Sequence, residues 1–493
     1  MGGTVITEQT WNRSLNVNLD AAQVKRAEND TGRVTRAGRI VEHVAGLLFA
    51  GAYKPGERLP SVRQAAREQG VSKNTMAEAY DRLVAQGLLE ARPGSGYYVA
   101  QFQLRRPTQP APHVVSAIDV VSLLREQLDR HYEVRPGDGR PPSSWTEGSE
   151  LRRYFSSFKT GDIADVEFGY GSGWGYGPLR DRVRMTLLER SIAVEPDGLL
   201  LTSGANHGLD LIIRHLIEPG DTVFVDDPGY YPLFAKLTLA KARMIGIRRG
   251  PDGPDLEDLS AKLALHRPKI FFTQSLAHNP TGSTLSPAVA FGLMRLAEHR
   301  GFLIVENDAL ADIVPPTLPR LAALDQLNRV LYVGTFSKTL SASLRCGYIA
   351  GQPSIVSSLS NLKMLTMVAS SDYVERFVFN LIQGGQYLRH LRRLKARVEE
   401  AHKASKAEME AAGLTVRPTV TPGFYLWAEF PDHDDELGIC REAAEQGIFL
   451  APGQVFTPDR KARGPAAIRV NVAYGTHPRF IDFLRRKTGE PPR

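Results

Sequence analysis

The sequence predicts an α/β protein in which a small helical unit comes first. A large domain follows, with a mostly parallel sheet, helices, and a smaller α+β part near its carboxyl end. Residues 34 to 100 read as helix, turn, helix, turn and hairpin. The next stretch, QFQLRRPTQPAPHV, has three prolines between residues 104 and 113, which is typical of a linker. Beyond it, short apolar runs such as TVFVDDP and FLIVEND alternate with amphipathic stretches, as expected for strands wrapped by helices.

The length of 493 residues is too great for one ordinary core and predicts several domains. We expect a mobile arm at 1–33, the helical unit at 34–100, a linker at 101–115 and the large domain at 116–485. The two cysteines and the lack of matched Cys/His spacings predict neither a disulfide framework nor a metal site. Since the sequence has no leader-like start and no membrane-spanning run, we expect a cytoplasmic protein that makes no contact with a membrane.

The segment SVRQAAREQGVSKNTMAEAYDRLVAQGLL has the pattern of a helix-turn-helix. The first helix ends at Gly70, and Ser72 is a suitable N-cap for the second. Apolar side chains at helical spacing predict the buried face of the second helix: Met76, Ala79, Tyr80, Leu83 and Val84. Its exposed first turn carries side chains suited to phosphates and base edges in a major groove: Ser72, Lys73, Asn74 and Thr75. A helical hairpin used only for packing is the alternative interpretation.

The segment ARPGSGYYVA predicts a hairpin with a tight tip at Gly94 and Gly96, from which Arg92 reaches a backbone phosphate or the minor groove. From YKPGERLPSVRQ to this hairpin, the sequence resembles the GntR-type winged helix-turn-helix. The resemblance implies that contacts with double-stranded operator DNA come from Arg63, Ser72, Lys73, Asn74, Thr75 and Gly94. Residues 34 to 100 hold 9 Lys+Arg and 6 Asp+Glu, and this modest net charge of +3 favours binding as a dimer.

The string RVLYVGTFSKTLSASLRCGYIA places Lys338 at the end of an apolar strand. Small hydroxyl neighbours bind an anion there, and an amine is held close to a carbonyl group. On its own, a surface lysine in a loop is the simpler interpretation. The whole string, with Arg345 seven residues further on, resembles the pyridoxal phosphate (PLP) lysine segment of fold type I aminotransferases. This resemblance implies that Lys338 forms a Schiff base with PLP.

Other segments of that family follow in the same order. In LTSGANHGL a strand enters a helix, so that backbone N–H groups at the helix start face an anion. The resemblance implies that this anion is the PLP phosphate, and it assigns the phosphate site to Gly204, Ala205, Asn206, Thr335, Ser337 and Arg345.

The same resemblance assigns the groups around the PLP ring. Tyr230 of VDDPGYYPLF matches the aromatic residue that stacks on the ring, and Asn279 of AHNPTG matches the donor to its phenolic oxygen. Asp308 of FLIVENDALADI is expected to pair with the protonated pyridine nitrogen, because the neighbouring Asn307 has no charge. Arg469 of AIRVNVAY matches the arginine that binds a carboxylate, here that of an effector. Taken singly, Asp308 and Arg469 read more readily as members of solvated or structural ion pairs, and it is their place in the shared order of segments that favours the cofactor roles.

One position departs from the family pattern. The family usually reads E-D-D-x-Y or E-D-D-Y, with a tyrosine that donates to the phenolic oxygen, and here Leu310 stands in its place. Loss of that donor is expected to raise the pKa of the internal aldimine and to disfavour its reactive form. This departure favours a slow reaction of the lysine-bound cofactor over rapid enzymatic turnover.

Both modules, in this order, resemble the MocR subfamily of GntR regulators over about residues 34 to 480. The resemblance implies a head-to-tail homodimer that senses a small amino-bearing effector by aldimine exchange at Lys338 and changes its DNA binding. Genes for the catabolism of rhizopine or another amino compound are the expected targets. Two alternatives stay open. A working aminotransferase with an appended DNA-binding domain is disfavoured by Leu310, and a PLP domain that serves only as a scaffold is disfavoured by the retained Lys338.

Overall fold

The computed structural model describes residues 36–49, 52–100, 124–126, 128, 131–146, 170–460 and 464–490. The chain divides into two compact units, one before and one after residue 110, and each is described by itself. The predicted arm at 1–33 and linker at 101–115 lie outside the described residues. In the part of the chain that is described, no helix is both long and apolar enough to cross a membrane.

The amino-terminal unit is a helix-turn-helix followed by a hairpin, as predicted. Its elements are α1 (Arg36–Phe49), α2 (Val62–Glu68), α3 (Lys73–Ala85), β1 (Leu89–Arg92) and β2 (Gly96–Val99). The strands are antiparallel, with Leu89 opposite Val99. The predicted apolar face of α3 is buried at Met76, Ala79, Tyr80 and Leu83, whereas Val84 is only partly buried. This core fixes α3 with the opposite side of its first turn exposed.

Eight strands form the central sheet of the large unit: β3 (Leu199–Thr202), β4 (Thr222–Asp227), β5 (Arg243–Gly250), β6 (Gly253–Pro254), β7 (Ile270–Thr273), β8 (Leu303–Asp308), β9 (Val330–Thr335) and β10 (Gly347–Ala350). Their order is β3-β10-β9-β8-β7-β4-β5-β6. The run from β9 through β8, β7 and β4 to β5 is parallel, while β10 is antiparallel to both its neighbours. The expected mostly parallel sheet is therefore confirmed, with an antiparallel strand inserted near one edge.

A short helix, α4 (Ser143–Thr146), precedes the helices that cover both faces of this sheet: α5 (Gly177–Leu188), α6 (Ala205–Leu216), α7 (Tyr231–Leu239), α8 (Leu256–Leu265), α9 (Pro287–Arg300), α10 (Leu321–Asp325), α11 (Pro353–Met367) and α12 (Asp372–Gln383). Consecutive strand residues point to opposite faces and into two separate cores. On β8, Ile304 packs in one core and Val305 in the other. The same alternation decides where the polar residues at the end of β8 lie.

The carboxyl-terminal part is the expected smaller α+β layer. It comprises α13 (Gln386–Ala411), β11 (Thr415–Val416), β12 (Tyr425–Phe430), α14 (Glu436–Glu445), β13 (Ala451–Pro452), β14 (Ala466–Asn471) and α15 (Pro478–Thr488). Its four strands are antiparallel in the order β11-β12-β14-β13. This layer brings β12 and β14 to the carboxyl ends of the central strands, where the chemistry-bearing residues collect.

Candidate cofactor and DNA-binding sites

A cavity of about 820 Å³, counting the part open to solvent, lies at the carboxyl ends of the parallel strands. Open α/β sheets bind their ligands at this edge. The cavity is lined by side chains from several connections: Ala205, Asn206, Leu209, Tyr230, Gln274, Leu276, Ala277, Asn279, Asn307, Ala309, Leu310, Thr335, Ser337, Lys338, Ala342, Arg345 and Tyr425. Residues from the phosphate, ring and lysine segments of the sequence thus come together in one place.

One end of the cavity is built to hold an anion. Gly204 has φ of 81° and precedes α6, whose first backbone N–H groups have no partner within the helix. A Cβ at Gly204 would lie 2.8 Å from the Arg345 guanidinium, so only glycine permits this close approach. Arg345 donates to Ser337 Oγ at 3.3 Å and to the Ser203 carbonyl at 3.1 Å. Thr335 Oγ1 donates to the same Ser337 Oγ at 3.2 Å, which completes a cup of N–H groups, hydroxyls and one cation.

Lys338 follows β9 and lines the same cavity. Its Nζ donates to the carbonyl oxygen of Gly139. Burial, and after it the positive charge of Arg469, lowers the pKa of Lys338 to about 7. A substantial part of its amine is therefore neutral near pH 7, which is the form that attacks a carbonyl carbon.

Arg469 on β14 is 1% exposed and is not among the residues that line the cavity. Its Nη1 donates to Asn279 Oδ1 at 3.2 Å, and its Nη2 donates to the Gly137 carbonyl at 2.6 Å. The guanidinium lies 5.1 Å from the ring centroids of both Tyr425 and Phe456. Arg469 thus sits beside Asn279, already engaged by protein groups, with its Nε unpartnered.

Contrary to the expectation from the sequence, Asp308 does not line this cavity. Asp308 lies on the same face of β8 as Ile304, and its Oδ2 accepts bonds from Arg320 Nε and Tyr332 Oη, both at 2.8 Å. The preceding residue, Asn307, lies on the other face and lines the cavity. The physical reason is the twofold repeat of a strand, which turns consecutive side chains to opposite sides of the sheet.

Leu310 does face the cavity, where it is 3% exposed and packs with Leu276, Ala277 and Tyr425. Tyr425 is a residue that sequence reasoning missed. Its hydroxyl donates to the Gly139 carbonyl at 2.9 Å, the same oxygen that Lys338 contacts. The one available signal for Tyr425 was its position in the strand segment FYLWAEF.

The segment around residues 134–140 was also missed. Asp138 accepts from Arg135 Nε at 3.2 Å, and Asn471 Nδ2 donates to the Asp138 carbonyl at 3.0 Å. A Cβ at Gly137 would lie 2.5 Å from the backbone of Leu450, so the segment is packed tightly against the carboxyl-terminal layer. The sequence PGDG indicated only a turn, because the contacts that give this segment its place come from residues more than 300 positions away.

The described residues fit pyridoxal phosphate. The cup at α6 suits a phosphate, Lys338 supplies an amine of lowered pKa, and Tyr230 supplies an aromatic face at the cavity wall. Two buried amide oxygens, those of Asn206 and Asn307, have no hydrogen-bond partner within the protein. Unpartnered buried polar atoms that border a cavity are typical of a site completed by a ligand.

In the amino-terminal unit, Ser72 and Thr75 bond to each other. Ser72 Oγ accepts from the Thr75 N–H at 3.1 Å and lies 2.8 Å from Thr75 Oγ1, so it acts as the N-cap of α3. Lys73 and Asn74 are exposed on the same turn, and Arg63 is exposed on α2. These side chains are free to meet a nucleic acid, whereas the Ser72 hydroxyl already stabilises its own helix.

The hairpin tip presents Gly94 with φ of 72° and open space around it. Arg92 is exposed, and its guanidinium lies 4.2 Å from the centroid of the Tyr98 ring and 3.5 Å from Glu90 Oε2. Arg92 must leave these contacts if it is to reach a phosphate.

Fold and cavity together define a protein of the aminotransferase type with a helix-turn-helix unit ahead of it. The family model described as aminotransferase class I and II matches residues 167–485, and the model described as bacterial regulatory proteins, gntR family, matches residues 36–99. The chain belongs to the class I and II aminotransferase family and carries a gntR-family helix-turn-helix, which confirms the resemblance to MocR-type regulators.

Similar proteins include the HTH-type transcriptional regulator TauR of Rhodobacter capsulatus, 28% identical over 474 residues that span 88% of this chain and 94% of TauR. The probable rhizopine catabolism regulatory protein MocR of Rhizobium meliloti is 27% identical over 441 residues, which span 84% and 85% of the two chains. Among solved structures, kynurenine aminotransferase of Pyrococcus horikoshii shares the fold, with a TM-score of 0.68, 24% identity, and coverage of 75% of this chain and 93% of that one.

Proposed function

We propose that this protein is a PLP-dependent, DNA-binding transcription regulator of the MocR/GntR type that responds to a small amino-bearing effector at Lys338. The observation that carries the proposal is Lys338 itself, an amine of lowered pKa in one cavity with an anion cup. The chain also carries α3, a helix of the type that reads DNA, whose first turn is exposed. Binding of an amine in the cavity can therefore serve to regulate DNA binding as well as catalysis.

When bound, PLP supplies an aldehyde carbon that condenses with primary amines. Lys338 and the effector amine compete for that carbon. Lys338 would hold the cofactor through that carbon, and on displacement by the effector its nitrogen would take up the two hydrogens that the incoming neutral amine gives up. The exchange needs no oxidant or reductant, and its reversibility suits a sensor.

For the DNA-binding step, the exposed first turn of α3 enters a major groove of double-stranded operator DNA, and Arg63 and Arg92 contact the backbone. A homodimer in the cytoplasm provides two such units. An effector that changes DNA affinity must itself be bound with a changed affinity when DNA is present, because the coupling free energy is shared. A carboxylate on the effector would compete with Asn279 Oδ1 and the Gly137 carbonyl for the Arg469 guanidinium.

The test uses the full chain loaded with PLP and a DNA fragment from immediately upstream of its own gene. A panel of primary amines and amino acids is screened by absorbance of the bound cofactor and, in parallel, by DNA affinity. We expect that a compound which changes the absorbance also changes the dissociation constant for DNA by roughly 5- to 150-fold, the usual range of allosteric coupling.

Two variants make the result specific. Lys338→Ala is expected to lose both responses, while Lys269→Ala, which removes an exposed lysine elsewhere in the large unit, keeps both. Borohydride treatment followed by peptide mapping identifies the modified lysine. Covalent PLP on a lysine of the Lys338→Ala protein, or DNA affinity that no amine alters, would refute the proposal.

A further inference from the structure

We infer that the cavity keeps the ring nitrogen of PLP unprotonated, so that an amine exchanges with Lys338 and departs with its α-hydrogen intact. The inference rests on the proposed function for its cofactor site and adds what happens to the effector. It makes the site a reversible binder of amines and separates this protein from a working aminotransferase.

The first supporting observation is the charge of the cavity wall. Among the described residues that line the cavity, Lys338 and Arg345 are cationic and none is an aspartate or a glutamate. A pyridine nitrogen that accepted a proton would add a further positive charge to a buried site with no carboxylate at its wall. Both desolvation and repulsion by like charges lower the pKa of such a group.

The second observation is the residue at the end of β8. Asn307 is 8% exposed and borders both the main cavity and a smaller chamber behind it, which Asp226 and Gln274 also line. Its Oδ1 has no hydrogen-bond partner within the protein. An amide offers a donor or an acceptor to a ring nitrogen but brings no charge that would hold a proton there.

The nearby carboxylates are committed elsewhere. Asp308 pairs with Arg320 on the opposite face of the sheet. Asp226 lies 3.0 Å from Arg249 Nη1, and its oxygens also accept from Thr273. Asp138, whose charge acts on Lys338, is likewise balanced by Arg135, so each of these three carboxylates has an arginine of its own.

The consequence concerns the step that follows amine exchange in a transaminase. Removal of an α-hydrogen leaves an electron pair that the cofactor ring must accept, and a protonated ring nitrogen is the acceptor. Exchange of one amine for another requires no such acceptor. A cavity with Asn307 in this place therefore permits the exchange and suppresses the loss of the α-hydrogen.

The test is ¹⁵N NMR of the full chain loaded with PLP that is labelled at the ring nitrogen. For the native protein we expect the resonance of an unprotonated pyridine that does not move between pH 6 and 8. The Asn307→Asp variant is expected to move the resonance strongly upfield, as protonation does. In the same variant the α-hydrogen of a bound amino acid should exchange with deuterium at least about tenfold faster, because each unit of ring pKa changes the protonated fraction tenfold.

Asn380→Asp is the matched control, since it adds the same charge at an exposed position on α12 that does not line the cavity. It should leave the ring resonance close to that of the native protein. A protonated resonance in the native protein overturns the inference, and so does an Asn307→Asp variant that binds PLP yet keeps the unprotonated resonance. These results are independent of DNA affinity, so an amine that fails to alter DNA binding refutes the proposed function and leaves this inference standing. A native protein that takes up no labelled PLP overturns both.

Discussion

Asn307 and Asp308 are consecutive residues at the end of β8, and their side chains lie on opposite faces of the central sheet. Asn307 borders the cavity that holds Lys338, while Asp308 forms a buried ion pair with Arg320. A difference of one position along β8 thus decides whether the side chain that borders the cavity is charged. Because this residue is Asn307, the cavity wall carries a neutral amide at the end of β8.

The pKa of Lys338 predicts how PLP uptake depends on pH. With a pKa of about 7, the neutral fraction of the amine rises about fivefold between pH 6 and 7 and levels off above pH 8. The rate of PLP attachment, followed by absorbance, should trace this curve. In Arg469→Gln the curve should move to higher pH, because a nearby positive charge is removed, whereas Arg469→Lys should leave it near its native position. A rate that still rises tenfold per unit up to pH 9 would show that Lys338 has an ordinary pKa.

Arg63→Ala and Lys73→Ala are expected to weaken operator binding without changing PLP content. Arg63 is an exposed cation at the start of α2 and Lys73 one at the start of α3, so the slope of log affinity against log salt should fall by about one per residue. Arg82→Ala is the control, because Arg82 lies in the last turn of α3 and pairs with Glu78. Full affinity in the Arg63→Ala, Lys73→Ala double variant would remove this surface from the DNA contact.

Substitutions of Ser72 and of Asn74 should distinguish an effect on the stability of α3 from an effect on DNA recognition. Ser72→Ala removes the N-cap of α3 and is expected to destabilise the amino-terminal unit by about 1 kcal/mol, while Asn74→Ala leaves stability unchanged. Asn74→Ala should alter the preferred operator sequence more than the affinity for random DNA, whereas the Ser72 hydroxyl is engaged in the cap. Thermal unfolding and binding-site selection measure the two effects. Equal stability of the Ser72→Ala protein would contradict the capping role.

Leu310→Tyr returns a hydroxyl to the cavity wall. If this hydroxyl donates to the phenolic oxygen of PLP, it favours the deprotonated form of the lysine-bound cofactor, so the spectrophotometric pKa should fall and amine exchange should speed up. Leu310→Phe is the matched control that adds the ring without the donor. An unchanged or higher pKa in Leu310→Tyr would mean that the residue does not face that oxygen. Weaker amine binding in both variants would instead show that Leu310 packs against the effector.

The raised pKa of Glu306 predicts that the free energy of unfolding depends on pH. Burial, opposed by the bond from Ser275 and assisted by the charge of Asp308, raises the pKa of Glu306 to about 7 from its usual 4.5. Between pH 4.5 and 7 the folded state therefore holds a proton that the unfolded state has lost, and stability falls as pH rises through this window, by on the order of 3 kcal/mol. Chemical denaturation at a series of pH values should show a flatter slope for Glu306→Gln. Equal slopes in the two proteins would refute the raised pKa.

Sequence patterns predicted those features that depend on neighbours along the chain. The apolar runs that became β3, β4, β7, β8 and β9 are bounded by glycines and polar residues, and the helix-turn-helix is marked by Ser72 and Gly70. The face of the sheet on which each of the Asn307 and Asp308 side chains lies was not predictable in this way. The stretch E-N-D at the end of β8 is polar throughout, so it has no apolar alternation to show which residue faces which side.

The contributions of Gly139 and Tyr425 were hidden for a different reason. Each lies far along the chain from Lys338, and their bonds depend on how the carboxyl-terminal layer meets the central sheet. The antiparallel insertion of β10 between β3 and β9 is likewise a long-range pairing. Such features depend on the packing of whole layers, and a single sequence has no local signal for them.

The carbonyl oxygen of Gly139 accepts two hydrogen bonds, one from Lys338 and one from Tyr425. Covalent attachment of the lysine nitrogen leaves it at most one N–H, whereas the free ammonium has three. Once that N–H is directed to another acceptor, Tyr425 alone among the described residues donates to the Gly139 carbonyl, while the Gly137 and Asp138 carbonyls keep their bonds from Arg469 and Asn471. Attachment of the cofactor to one nitrogen thereby loosens a single turn at the cavity wall, while the rest of the 134–140 segment stays anchored to the carboxyl-terminal layer.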